Sequence, residues 1–385
     1  MKALRKLLDN IKPHVSKGGR FEMLHSTYDA FETLLFVPDR TNKNGVHVRD
    51  AIDLKRTMMM VVFAMVPALV FGIWNTGYQH HLALGESASF LDNILHGVLR
   101  VVPILVVSYA TALGLEFGFA QMRKHEVNEG VLVSGMLIPL IIPIDTPLWM
   151  VAIATAFAII IGKEVFGGTG MNIWNPALLA RAFLFFAYPA QMSGDIVWIS
   201  GLGSMENLPD GFSGATALAA AVEGNISNFS FMDSFLGFIP GSIGETSTLA
   251  ILLGAMFLII TGVGSWKVML SVFVGGYLMA LVFNLIGLNP LMQVEAHHHL
   301  VLGGFAFGAV FMATDPVSAT RTEQGKWIYG FLIGVFAIMI RVFNPAYPEG
   351  MMLAILLMNT FAPLIDHFVV QANIKRRLKR AVVKA

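Results

Sequence analysis

Polar and apolar positions in this chain fall into blocks. Apolar runs cover residues 57–75, 98–119, 130–143, 147–162, 176–190, 246–263, 267–288, 299–313, 327–343 and 350–370. A run of about 20 apolar residues crosses a bilayer as a helix. The pattern therefore predicts an all-α polytopic membrane protein with about ten transmembrane helices. Several runs are shorter than a full crossing requires. They are expected to be tilted, broken or half-length, which is tolerated where protein rather than lipid surrounds the backbone.

Composition agrees: 55% of the 385 residues are hydrophobic, 13% are charged and the mean hydropathy is +0.67, against about 25% charged residues in soluble domains. Basic residues set the orientation, because Lys and Arg gather in cytoplasmic loops. The segment 1–56 and the tail 372–385 are both basic, and Arg123, Lys124, Lys163, Lys267, Arg321 and Lys326 fall in alternate loops between them. The remaining loops, 76–97, 144–146, 191–245, 289–298 and 344–349, contain no Lys or Arg. Ten crossings with both termini cytoplasmic satisfy this distribution, so 57–371 reads as the transmembrane domain and 191–245 as its long outer loop. Residues 1–56 lack the apolar core and cleavage site of a signal peptide and read as a cytoplasmic segment with some amphipathic helix. Without cysteine, the chain has neither disulfides nor all-cysteine iron–sulfur ligation.

Two segments echo each other: Ile173-Trp174-Asn175-Pro176-Ala177 and Val342-Phe343-Asn344-Pro345-Ala346. They stand five runs apart and so on opposite sides, as two inverted five-helix repeats require. Paired Asn-Pro-Ala is also similar to aquaporin-type channels, which offers a passive pore as an alternative.

Chemistry concentrates in three places. The stretch Asp210-Gly211-Phe212-Ser213-Gly214-Ala215-Thr216-Ala217-Leu218 resembles the acceptor sequence on which bacterial flavinyl transferases join FMN to a threonine hydroxyl. Ser213, Gly214 and Ala215 leave little bulk around Thr216, so a modifying enzyme can reach its oxygen; the alternative is an ordinary small-residue turn. The glycine-rich run from Lys163 to Pro176 lacks a Walker-type lysine. Its Asn172 and Asn175, three apart, can face one side of an opening helical turn and offer amide donors and acceptors to a flavin. The competing reading is helix capping by Asn175 ahead of Pro176. Carboxylates at bilayer depth are costly and usually functional, which singles out Glu116 and Asp366. Pairing with Arg181, Arg341 or a helix terminus is the alternative for both. His297-His298-His299 reads as a solvated outer loop rather than a metal site.

These segments together resemble the B subunits of bacterial sodium-translocating NADH:quinone oxidoreductases, over nearly the whole chain. Further matches are Val46-His47-Val48-Arg49-Asp50, Arg123-Lys124-His125-Glu126-Val127-Asn128-Glu129-Gly130, Pro240-Gly241-Ser242-Ile243-Gly244-Glu245, Ala313-Thr314-Asp315-Pro316-Val317-Ser318 and Asn344-Pro345-Ala346-Tyr347-Pro348-Glu349-Gly350. The D subunits of the related RNF ferredoxin:NAD oxidoreductases share the acceptor loop. The basic N-terminal segment with Pro13-His14 and Gly18-Gly19 favours the former.

The resemblance implies a translocase component of a six-subunit complex in the bacterial inner membrane, with quinone, Na+, membrane lipid and a flavinyl transferase as partners and no nucleic acid. It implies FMN as a phosphoester on Thr216 at the outer side, a noncovalent riboflavin near Asn172 and Asn175 toward the cytoplasm, and electron flow through both to quinone. Acidic positions implied in sodium passage are Asp29, Glu116, Asp315 and Asp366; Asp29 stands where the family has glutamate. Ala112 and Leu113 replace paired glycines linked to quinone-site inhibitors, so the shape of that site is expected to differ.

Overall fold

The computed structural model describes residues 2–15, 24–36, 42, 44–48, 52–123, 127, 130–204, 213–344 and 349–382. Outside the described residues lie Asp210, Gly211 and Phe212 of the acceptor loop, Gly18-Gly19, Arg49-Asp50, Lys124, His125, Glu126, Asn128 and Glu129. Also outside are Pro345 and Ala346 of the second Asn-Pro-Ala, Tyr347-Pro348 and the C-terminal Ala385.

The described residues contain helices and no strand. Two precede the apolar part: α1 (Lys2–Val15) and α2 (His25–Leu35). Leu8 and Val15 of α1 pack on Tyr28 of α2, whose hydroxyl donates to Leu8 O at 2.9 Å. Arg5 and Lys12 pair with the buried Glu32 at 3.2 and 3.0 Å. Among the described residues nine helices of at least 11 residues follow: α3 (Leu54–Ala83), α4 (Phe90–Arg123), α5 (Gly130–Leu140), α6 (Leu148–Ile160), α7 (Pro176–Ala187), α8 (Thr248–Ile260), α9 (Trp266–Ile286), α10 (Glu323–Phe343) and α11 (Met351–Val382). Six helical stretches are long and apolar enough to cross a membrane: α3, α4, the stretch Leu148–Phe166 that contains α6, α9, α10 and α11; α5, α7 and α8 are apolar but shorter. The eighth apolar run is the most broken, a single α-turn Phe305–Phe307 continuing as a π-helix Gly308–Met312.

Burial explains why the short elements are tolerated. The eighth run is buried on every side, and so is α5 from Ser134 to Leu140. The long helices instead present Phe63 and Val70 of α3, Leu95 and Val106 of α4, and Leu281 and Leu285 of α9 outward. Irregular backbone thus stands where protein surrounds it. Helix contacts are close where glycine allows it: a Cβ on Gly275 of α9 would lie 2.2 Å from Phe331 O of α10, and one on Gly334 of α10 2.1 Å from Val272 O of α9. Small residues let backbones approach and gain van der Waals contact in lipid.

Helices run past two of the predicted boundaries. The outer loop 76–97 shrinks to a turn between Ala83 and Phe90, because α3 and α4 extend past their apolar runs. His81 Nδ1 of α3 meets Asn93 Oδ1 of α4 at 2.8 Å, and Asn75 Nδ2 of α3 donates to Ile239 O of the loop before α8 at 3.0 Å. At the other end, α11 continues without a break into the basic tail.

Candidate functional site

Thr216 caps the short helix Ala217–Val222, its Oγ1 accepting from Ala219 N at 3.2 Å. The loop before it folds back on the 193–199 segment. Ser213 Oγ accepts from Ala215 N at 3.2 Å and donates to Asp195 Oδ2 at 3.3 Å. A Cβ on Gly214 would lie 2.3 Å from Asp195 O, so this glycine is required by the close approach of two backbones. The small residues of the motif therefore let the loop pack, which puts the half-buried Thr216 on the wall of a cavity of about 350 Å³.

Phe185, Trp198 and Ile239 give that cavity apolar walls. Its floor is charged. Arg181 of α7 donates through Nη1 to Glu245 Oε1 at 2.8 Å and through Nη2 to Glu349 Oε2; the three residues are 3%, 6% and 8% exposed. Glu349 Oε1 and Thr246 Oγ1 are buried with no hydrogen-bond partner. Both carboxylates close over Gly304, where a Cβ would meet Glu245 Oε1 and Glu349 Oε1 each at 2.6 Å. Burial pushes the Glu245 carboxyl up to about 8, against the pull of Arg181 and with a further push from Glu349. The volume lies in the range of cofactor pockets, roughly 300–1,000 Å³. With a reachable hydroxyl, aromatic walls and polar atoms without partners, these residues fit a flavin attached at Thr216.

Five residues N-terminal to Arg181, α7 begins at a second cavity of about 80 Å³, lined by Lys163, Thr169, Asn172, Asn175 and Asp315 among others. Asn172 and Asn175 do not share a helical turn, because the helix starts at Pro176 and Asn172 lies in the preceding bend. The bend nevertheless brings both to one wall. Asn175 Oδ1 caps α7 through Ala177 N at 2.9 Å, its Nδ2 faces Asp315 Oδ2 at 3.5 Å, and Asn172 Nδ2 donates to Trp174 O at 2.9 Å. Capping is thus realised, and the amides also line the cavity. Thr169 Oγ1 is buried and unpartnered, so the polar lining suits a ligand with hydroxyls. The enclosed volume falls below the usual range, so only part of a flavin would lie inside it.

The four acidic positions have separate surroundings. Glu116 is buried and receives Lys163 Nζ at 2.5 Å, while its other oxygen has no partner. Lys163 also stands 3.9 Å from Glu164, which pairs with Arg123 at 2.9 Å. Asp315 accepts from Ser318 Oγ at 2.7 Å and Val317 N at 3.2 Å, and burial pushes its carboxyl up. Asp366 accepts from Arg321 N at 2.8 Å and Thr322 N at 3.0 Å, closing the turn before α10. Asp29 stands half-buried on α2. Of the partners expected for Glu116 and Asp366, Arg181 is engaged by Glu245 and Glu349, and Arg341 donates to His299 O and Leu302 O at 2.7 and 3.0 Å. Lys163 takes their place for Glu116, and a turn takes it for Asp366. Leu113 lines an apolar pocket with Phe31 of α2 and Phe117.

Sequence reasoning passed over Glu245 and Glu349 as site residues. Their available signal was an arginine inside an apolar run, which must find carboxylates somewhere. The reading of His297-His298-His299 as solvated is corrected, since only His297 is exposed and His298 and His299 are buried.

A model of the NQR2, RnfD, RnfE family matches residues 41–375. The chain is 49% identical over 404 residues to the B subunit of the Na(+)-translocating NADH-quinone reductase of Chromohalobacter salexigens, covering 98% of this chain and 96% of that one. The same-named protein of Ectopseudomonas mendocina is 49% identical over 409 residues, with 98% and 100% covered. That of Pseudomonas aeruginosa is 47% identical over 407 residues, with 98% and 99% covered. With its broken helices, loop-borne Thr216 and end-to-end similarity to these B subunits, the chain belongs to the NQR2, RnfD, RnfE family.

Proposed function

We propose that this chain is the membrane component of a sodium-pumping NADH:quinone oxidoreductase, carrying FMN as a phosphoester on Thr216 and a second flavin, riboflavin, beside Asn172 and Asn175. The observation that carries this reading is the position of Thr216: an acceptor-type loop folds so that its threonine faces a cofactor-sized cavity floored by Arg181. A bound flavin supplies the ability to accept and pass on single electrons. The chain's own residues do the rest. The Thr216 hydroxyl is the attachment point, Gly214 lets the loop reach the cavity, the aromatic walls exclude water, and Arg181 holds a fixed positive charge at the floor.

Similarity to the B subunits runs past the family match, into residues 1–40. This favours a B-type protein over the D-type protein of an RNF complex. Ten crossings with cytoplasmic termini in a bacterial inner membrane fit the basic residues, and two inverted five-helix repeats fit the packing. In the first half α4 packs on α6 and α6 on α7; in the second, α9 packs on α10 and α10 on α11. The other subunits of the complex and a flavinyl transferase complete the system. Sodium is the cargo and quinone the electron acceptor, with Glu116, Asp315, Asp366 and Asp29 as carboxylates along the ion's route. Moving one charge against 100 mV requires about 2.3 kcal/mol, so each electron has to fall through at least the opposing potential for every ion moved.

Mass spectrometry of the denatured chain, made with active flavinyl transferase, tests this. One FMN-sized adduct is expected on wild type and on Thr246→Ala, the other threonine of the cavity, and none on Thr216→Ala. An unmodified wild-type chain would sink the reading and revive the passive channel.

A further inference from the structure

The two glutamates on the cavity floor are not equivalent. Glu349 receives Arg181 directly, and the charge of Arg341 of α10, whose guanidinium donates to backbone carbonyls, adds a weaker attraction from farther off. Among the described residues Glu245 has one cation beside it, the shared Arg181. The other acidic residues on the cavity wall are Asp195 and Glu223. A buried site tolerates a balanced charge set and resists an excess carboxylate. When two carboxyls crowd one arginine, the one with less cationic support keeps its proton.

We propose that Glu245 is held as a carboxylic acid at the floor of the Thr216 cavity and serves as its proton-exchanging group, so that negative charge entering the cavity is matched by a proton on Glu245. The step is balanced without further reactants. The electron comes from the NADH-driven chain, a proton from the outer aqueous phase binds the Glu245 carboxylate, and only an O–H bond forms. Below the ionisation of Glu245 the proton is already in place; above it, electron entry and proton binding are linked. The direction agrees with burial raising this carboxyl. This inference rests on the seating of a flavin at Thr216.

Two measurements on the assembled complex test it. Infrared spectroscopy at neutral pH should show a buried protonated carboxyl that is lost in Glu245→Gln, which imitates the acid form and so preserves the fold, and kept in Asp366→Asn. The midpoint potential of the covalent flavin against pH should steepen on the alkaline side by up to one proton per electron in wild type, and that extra steepness should vanish in Glu245→Gln. Glu349→Gln, which frees Arg181 for Glu245, should also remove the infrared band. Absence of the band in wild type, or identical potential–pH curves for wild type and Glu245→Gln, would overturn the proposal. A wild-type chain with the band but no flavin adduct would overturn the cofactor reading and the coupling, leaving only the buried acid.

Discussion

Gly304→Ala isolates the charged floor of the cavity from the backbone that carries it. Gly304 has φ −79° and ψ 14°, a conformation alanine adopts freely. On backbone grounds alone the substitution should stabilise by about 0.4–1 kcal/mol, through lower entropy of the unfolded chain. The new methyl, however, would stand 2.6 Å from both Glu245 Oε1 and Glu349 Oε1 and 2.9 Å from Glu245 Cδ, well inside ordinary carbon contact at about 3.5 Å. Neither carboxylate can retreat without loosening its bond to Arg181. Overpacking a filled site costs about 1–3 kcal/mol, and losing a buried ion partner outright costs about 3–5 kcal/mol. Partial displacement therefore outweighs the backbone gain, and a net loss of about 2 kcal/mol is expected. The assay is the apparent unfolding midpoint of the purified complex, together with the yield of covalent flavin. Gly114→Ala is the control, since a Cβ there meets nothing within 4 Å and the change should be neutral or stabilising. A Gly304→Ala complex as stable as wild type and fully flavinylated would refute the argument that the two carboxyls close over this position.

Glu116→Gln should destabilise by about 2–4 kcal/mol, because among the described residues Lys163 then keeps just the 3.9 Å approach to Glu164; adding Lys163→Met should recover more than half of the loss in the same unfolding assay, and strict additivity would disprove their coupling. Replacing both Asn172 and Asn175 by leucine should remove an acid-extractable riboflavin and quinone reduction while the Thr216 adduct remains, with about 1 kcal/mol of stability lost through the cap of α7. Full quinone reductase activity in that variant would remove these residues from the electron path. A cysteine at Ser204 should react with an impermeant thiol reagent from outside the cell; protection there, with labelling at a cysteine placed at Ala385, would invert the topology.

The positions of the helices were legible in the sequence, because lipid and a dry interior impose one requirement, long uninterrupted apolar surface, that any chain writes openly. All ten apolar runs coincide with helical segments, whereas their lengths did not follow from the runs. The ends of α3 and α4 are held by pairs such as His81 with Asn93, and such pairs exist only once two helices are side by side. The small residues before Thr216 stood out in the sequence because they are local, whereas its place on a cavity wall came from the fold. What tertiary structure alone decided is which charges meet. Arg181, Glu245 and Glu349 stand up to 168 positions apart, and no period or motif links them. Glu116 could have met any buried cation, and the packing of α4 beside the segment after α6 gave it Lys163. Burial makes an unpaired charge too costly to leave, so the sequence announces that partners must exist, and only the fold selects them.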